Sequence, residues 1–184
     1  MPKRTESLQI HVTIVGLDPQ VWRRVLIPSN TTLARLHQII QAAFGWVGYH
    51  MYEFRAGRLG YRQAGLSLQT MPLVGNRRVW LKTLAEQAPD VAYVYDFGDY
   101  WVHRVVVEGL LPETGMQLPV CIGGAGATPP EDCGGVFGYA DFVAVMADES
   151  HPDHSEMVEW CGFKSWDPAA FDLVAVNARM RNLS

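Results

Sequence analysis

Three polar side chains interrupt the strand-forming run from Tyr93 to Val107: Asp96 and Asp99 on either side of Phe97-Gly98, and His103 four residues further on. Carboxylate and imidazole are ordinary ligands for zinc or iron, and they also hold and move protons. Asp99 and His103 cannot share an ion from one strand, because four residues at about 3.3 Å each set them roughly 13 Å apart. A divalent metal therefore needs ligands from different elements. The candidates are Asp96, Asp99, His103 and His50, with Glu53 beside them and Glu131 as a base. Without a cofactor, the same turn reads as a ligand-binding cleft formed by Asp96, Asp99, Trp101, His103, Glu131 and Asp132. In the plainest reading the two aspartates bond the amides of their own turn and His103 is a half-buried, hydrogen-bonded histidine.

Other signals are weaker. Glu131-Asp132 follows Pro129-Pro130, yet adjacent carboxylates on an extended segment point apart, which favours turn capping over acid–base work. Cys121 and Cys133 stand twelve residues apart, a spacing that matches no zinc knuckle, so buried inert thiols are expected rather than a redox pair. Gly123-Gly124 and Gly134-Gly135 lack the lysine of a phosphate loop and the dinucleotide fingerprint, and no Gly-x-Ser-x-Gly elbow is present. His37 flanks a helical apolar stripe, and His151 and His154 flank a helix entry.

The elements that must position these groups follow from periodicity. Leu8, Ile10, Val12 and Ile14 alternate with polar residues and mark a first strand; Val21–Ile27 is a second, stopped by Pro28 and paired antiparallel to the first. Ser29-Asn30-Thr31-Thr32 supplies candidate caps for a helix carrying Leu33, Leu36, Ile39, Ile40, Ala43 and Phe44 up to Gly45. Tyr49–Phe54 reads as a third strand, residues 55–78 carry no clear element, and Val79–Ala88 holds a short helix. Tyr93–Val107 forms the central hairpin, turning tightly at Asp96-Phe97-Gly98-Asp99 with Gly98 in the left-handed position. The glycine- and proline-rich stretch Pro119–Gly138 is expected to be a long, specifically folded loop without regular structure. Helices follow at Tyr139–Ala147, after an Asp153/Glu156 capping box, and from Asp167-Pro168 and Asp172 onward.

The fold class is α+β: a mixed, mostly antiparallel sheet with a β-β-α-β, β-grasp-like N-terminal half and a helical C-terminal part. At 184 residues with 48% hydrophobic and 18% charged residues, residues 1–184 are expected to form one domain around one core. A net charge of −4 and a pI near 5.8 disfavour a nucleic-acid binder, despite the pairs Arg23-Arg24 and Arg77-Arg78. No apolar run approaches the roughly 20 residues of a membrane span, and three cysteines suit reduced thiols in a cytoplasmic protein.

Val21-Trp22-Arg23-Arg24, Thr32-Leu33 through Gly45-Trp46, His50–Phe54, Tyr95–Asp99 with Trp101 and His103, Pro129–Gly135 and Phe171-Asp172 occur in this order. In these motifs the chain resembles the plasmid pRiA ORF-three-like family from about Leu8 to Arg181. The family is largely uncharacterised, and some members carry the label of an insertion-sequence passenger TnpR protein. That label implies recombination, for which no basic tail or helix-turn-helix is legible here. The resemblance implies recurrent acidic and histidine positions at Asp96, Asp99, His103, Glu131 and Asp132, without assigned roles. Similar members often have a further cysteine where this chain has Thr128, which weakens a cysteine-cluster metal site. Two functions lead, a binding or accessory module for a protein or small ligand and a metal-dependent hydrolase of a nucleic acid or phosphoester, with a weak nucleic-acid accessory protein as a third.

Overall fold

The computed structural model describes residues 6–62, 73–75, 79–86, 88, 90–112 and 115–183. In chain order the elements are β1 (Ser7–Ile14), β2 (Trp22–Pro28), α1 (Leu33–Phe44), β3 (Tyr52–Ala56), β4 (Leu59–Arg62), β5 (Leu73–Gly75), α2 (Leu81–Ala85), β6 (Asp90–Tyr95), β7 (Trp101–Leu111), β8 (Val120–Ala125), α3 (Gly135–Ala147), α4 (His154–Cys161) and α5 (Leu173–Arg181). One sheet runs β5-β4-β3-β6-β7-β1-β2-β8. Every neighbouring pair is antiparallel except β4 and β5, which are parallel. The α+β class and the β-β-α-β order are both present, β1 lies between β2 and β7, and the β6–β7 hairpin forms the middle of the sheet. Among the described residues no helix is long and apolar enough to cross a membrane.

The period-two pattern of β1 has the expected consequence. Leu8, Ile10, Val12 and Ile14 are buried, while Gln9, His11 and Thr13 between them face partly outward. The outward face is a polar ladder: Arg24 forks onto Glu108 at 2.8 Å, Gln9 joins the same carboxylate, and His11 stacks on Trp22 at 4.9 Å. Against the inward face lies α1. Thr32 Oγ1 accepts the Arg35 amide at 3.3 Å, and Gly45 closes the helix in the left-handed conformation with φ 83°. Leu33, Leu36, Ile39, Ile40 and Phe44 are all buried, each worth roughly 1.5–3 kcal/mol against exposure.

Arg23 is not the surface residue its neighbour is. It is 3% exposed, its guanidinium lies 5.0 Å over Phe44 and 4.7 Å over Phe171, and it donates to the carbonyls of Trp22, Ala43, Ala125 and Gly126 and to Thr128 Oγ1. One side chain thereby ties α1, β2 and the segment after β8 together. Burial lowers its pKa to about 10, and among the described residues no carboxylate bonds it. Thr128 is engaged in this clamp through its hydroxyl oxygen. Arg77 and Arg78 lie outside the described residues.

Several expectations need correction. The stretch Pro119–Gly138 contains an edge strand, β8, and its last residues already belong to α3. Glycine is required in β8 because a Cβ at Gly124 would meet the Phe171 ring at 2.5 Å and the Trp22 carbonyl oxygen at 2.8 Å. The left-handed residues of the central hairpin are Asp96 (φ 55°) and Tyr100 (φ 59°), not Gly98. The capping box before α4 is not formed, since Asp153 makes no side-chain cap. Asp167 caps only a turn, accepting the Ala169 amide, whereas Asp172 caps α5 through the amides of Val174 and Ala175 at 2.9 Å. Residues 63–72 and 76–78 of the stretch without a clear element lie outside the described residues.

Replacing Arg23 by lysine keeps the charge but not the planar fork, leaving buried carbonyls without donors. Chemical denaturation of Arg23→Lys should therefore show a loss of about 2–4 kcal/mol, and an unchanged midpoint would refute the clamp.

Candidate functional site

The site begins with Trp46, the first residue beyond the α1 cap. Its ring is buried between Phe44 (5.8 Å) and Tyr95 (5.1 Å), and its indole N–H donates to the Pro129 carbonyl at 2.9 Å. That anchor lays residues 47–50 across the end of β6 and brings the segment after Gly126 over them. Glu131 Oε1 accepts the Val47 amide at 2.8 Å, and the Tyr95 hydroxyl lies 3.1 and 3.2 Å from the two Glu131 oxygens. Tyr49 donates its hydroxyl to Asp132, and this bond pushes the phenol up to about 12. Burial, with the Glu131 charge, pushes Tyr95 up as well.

The hairpin turn closes the other side. The Gly98 amide donates to Asp96 Oδ1 at 2.9 Å, and the Gly134 amide donates to Asp99 Oδ2 at 3.1 Å. Gly135 has φ 69°, and a Cβ there would sit 2.3 Å from the Asp99 carbonyl oxygen, so only glycine lets the two backbones meet. The glycine-rich segment is thus fastened to the central hairpin.

At the junction, His50 Nε2 faces three carboxylates: Asp132 Oδ1 at 3.1 Å, Asp96 Oδ2 at 3.6 Å and Glu131 Oε2 at 3.8 Å. This nitrogen is shielded from solvent and makes no hydrogen bond of acceptable geometry. One donor atom each from His50, Asp96 and Asp132 lie within 4.8 Å of one another. Among the described residues none of the three acids pairs with a lysine or arginine. Of the three non-glycine residues with positive φ among the described residues, two are site members, Asp96 at 55° and Asp132 at 59°. Aspartate tolerates this conformation better than most residues, but it still records a backbone bent to aim a side chain.

The sequence-derived candidates are therefore divided. Asp96, Glu131, Asp132 and His50 converge; Asp99 stands beside them, engaged with Gly134. Trp101 and His103 are 1% and 0% exposed and point into the core, where His103 packs against Phe44 (5.2 Å), Trp46 (5.3 Å) and Tyr93 (5.2 Å). Its Nδ1 lies 3.3 Å from the Tyr93 carbonyl and 3.2 Å from that of Trp101. Burial lowers His103 to about 4. His37, stacked on Tyr52 at 3.6 Å and bonded to the Tyr93 hydroxyl at 2.8 Å, is lowered to about 4 for the same reason. Glu53 is 1% exposed and paired with Arg55. The expectation that Glu131 and Asp132 point apart fails, because the left-handed Asp132 breaks the extended alternation. All three cysteines are free, and burial followed by the Asp99 charge pushes Cys133 up to about 12, which disfavours a thiolate ligand.

Residues 6–175 match the plasmid pRiA4b ORF-3-like protein family. The chain belongs to that family. A relative, the uncharacterized protein y4hQ of Sinorhizobium fredii (strain NBRC 101917 / NGR234), is 35% identical over 178 residues, covering 96% of this chain and 92% of its own. A crystal structure of the protein of unknown function MM3350 from Methanosarcina mazei Go1 superposes with a TM-score of 0.84 at 32% identity, over 94% of this chain and 98% of that one. The plasmid pRiA4b ORF-3-like fold is thus shared at the level of the whole sheet, and neither relative's name states an activity.

Two neutral buried histidines make stability depend on pH. Their folded pKa values lie below the unfolded value near 6.5, so the unfolded chain binds protons more readily. Stability is full above about pH 6.5 and falls as pH drops toward about 4. Thermal melts should show the midpoint falling through that window, and NMR titration should find His37 and His103 still neutral at pH 5. A His103 resonance titrating near 6.5 would contradict its burial.

Proposed function

We propose that the protein is a binding module whose hairpin–loop junction takes up a divalent metal ion through His50 Nε2 and the carboxylates of Asp96 and Asp132, with Glu131 supporting from behind. The observation that carries this reading is one sheltered imidazole nitrogen facing three acids that have no other cationic partner among the described residues. Two ligand atoms each about 2.1 Å from a tetrahedral ion stand roughly 3.4 Å apart. The His50 separations of 3.1 and 3.6 Å bracket that figure. Imidazole with carboxylate oxygens suits zinc or manganese better than calcium. Glu131, held by Val47 and Tyr95, positions the loop rather than moving protons. Free thiols fit a reducing cytoplasmic setting.

Hydrolysis is the second reading, favoured by the Asp132 side chain being 57% exposed, which leaves room for a metal-bound water on the solvent side. A phosphoester substrate fits less well, because among the described residues no lysine or arginine pairs with these acids to receive its charge.

Calorimetric titration of chelator-treated, untagged protein with zinc or manganese should give one ion per chain and a raised melting temperature. His50→Ala and Asp132→Asn should weaken binding at least about tenfold, and Asp99→Asn should not. Absence of stoichiometric uptake of zinc, manganese and magnesium would overturn the proposal.

A further inference from the structure

Beyond Asp132, and independent of whether a metal binds, the surface continues into a groove of about 440 Å³ between α3 and α4. Its floor is apolar: Phe142 is buried, Met157 is half-buried, and Trp160, in edge contact with Phe142 at 6.1 Å, remains 49% exposed. Its rim is acidic, formed by Asp141, Asp153 and Glu156. Among the described residues none of these pairs with a lysine or arginine; Asp153 has only His151 at 3.9 Å. No basic residue lines the groove. One turn before Asp141 on α3, Phe137 is 87% exposed, an unusual position for so large an apolar side chain.

No internal residue of α4 is buried, so its apolar side chains are only partly covered by the rest of the chain. The adjoining face combines an open aromatic floor with uncompensated negative charge. We infer that this groove docks a basic amphipathic helix of a partner protein, with a large apolar anchor seated between Phe142 and Trp160 and lysine or arginine side chains against Asp141, Asp153 and Glu156. The fit is that of helix-in-groove recognition, in which a few buried apolar anchors carry the affinity and complementary charge sets orientation and encounter rate. The same charge excludes acidic peptides and nucleic acid. The mapped volume lies in the range of pockets that seat a single apolar anchor or a small ligand, and the helix beyond the anchor would lie along the exposed edge toward Phe137.

Fluorescence anisotropy with a labelled synthetic peptide of repeated Leu-Lys-Lys-Leu segments tests this on the full chain. The expected result is saturable binding in the micromolar range that weakens as salt rises. The counterpart built from Leu-Glu-Glu-Leu should not bind. Trp160→Ala and Glu156→Lys, both at exposed positions, should each weaken binding about tenfold or more while circular dichroism confirms the fold. His50→Ala should leave peptide binding intact, and the two groove variants should leave metal uptake intact, so the two readings fail separately. Equal binding of the glutamate peptide, unchanged affinity in both groove variants, or displacement of the peptide by equimolar spermine would overturn the inference.

Discussion

Everything at the site hangs on the Trp46 indole. Pinned between Phe44 and Tyr95 and donating to the Pro129 carbonyl, it makes the residues after α1 and the glycine-rich segment before α3 share one anchor on the sheet. A buried indole N–H left without an acceptor costs on the order of 1–3 kcal/mol, so the loop that supplies the carbonyl is held as firmly as the ring itself. Gly135 then lets the loop touch the hairpin at Asp99, and Glu131 laces it to Val47 and Tyr95. The loop is an extension of the core rather than a covering on it.

From that constraint follows an electrostatic consequence. Asp96, Glu131 and Asp132 would disperse if the chain were free to let them, since like charges at close range repel. They are instead gathered on one imidazole, with two of them on backbone in the left-handed region. The amides of Val47 and Gly98, the hydroxyls of Tyr49 and Tyr95 and the His50 imidazole offset part of that repulsion, and the cation proposed above would offset more. This is the physical content of reading the junction as a cation site. The acidic, aromatic-floored groove beyond Asp132 extends the same preference for positive partners across the neighbouring surface.

Much of this was legible in the residues, and the failures have physical causes. The alternation in β1, the apolar stripe of α1 with its Thr32 and Gly45 ends, and the β6–β7 hairpin all appear as expected, because each rests on a local period reinforced by caps or a turn. The strand β8 was hidden because Gly123 and Gly124 ordinarily signal loops, whereas Gly124 is there to admit the Phe171 ring and the Trp22 carbonyl. Trp101 and His103 looked like site residues because of their chemistry. Their parity with Val105, and their pairing opposite Tyr95 and Tyr93, would have assigned them to the buried face. Asp132 belongs to the expected cleft but not to the expected metal ligands, because an extended backbone turns it away from Glu131; one left-handed residue removes that alternation, and nothing in the sequence announces its φ. His50 was reachable only through the argument that ligands must come from different elements.

The loop bearing Glu131 and Asp132 is locked onto the hairpin in the free protein, before any ligand arrives. Hydrogen exchange at the Trp46 indole N–H and the Val47 amide reads that directly, since their acceptors are Pro129 and Glu131. Both should exchange at least about a hundredfold more slowly than in an unfolded peptide, in step with the β6–β7 amides. Exchange at unfolded-chain rates while the strands stay protected would show that the loop is not seated there, and the site would have no basis.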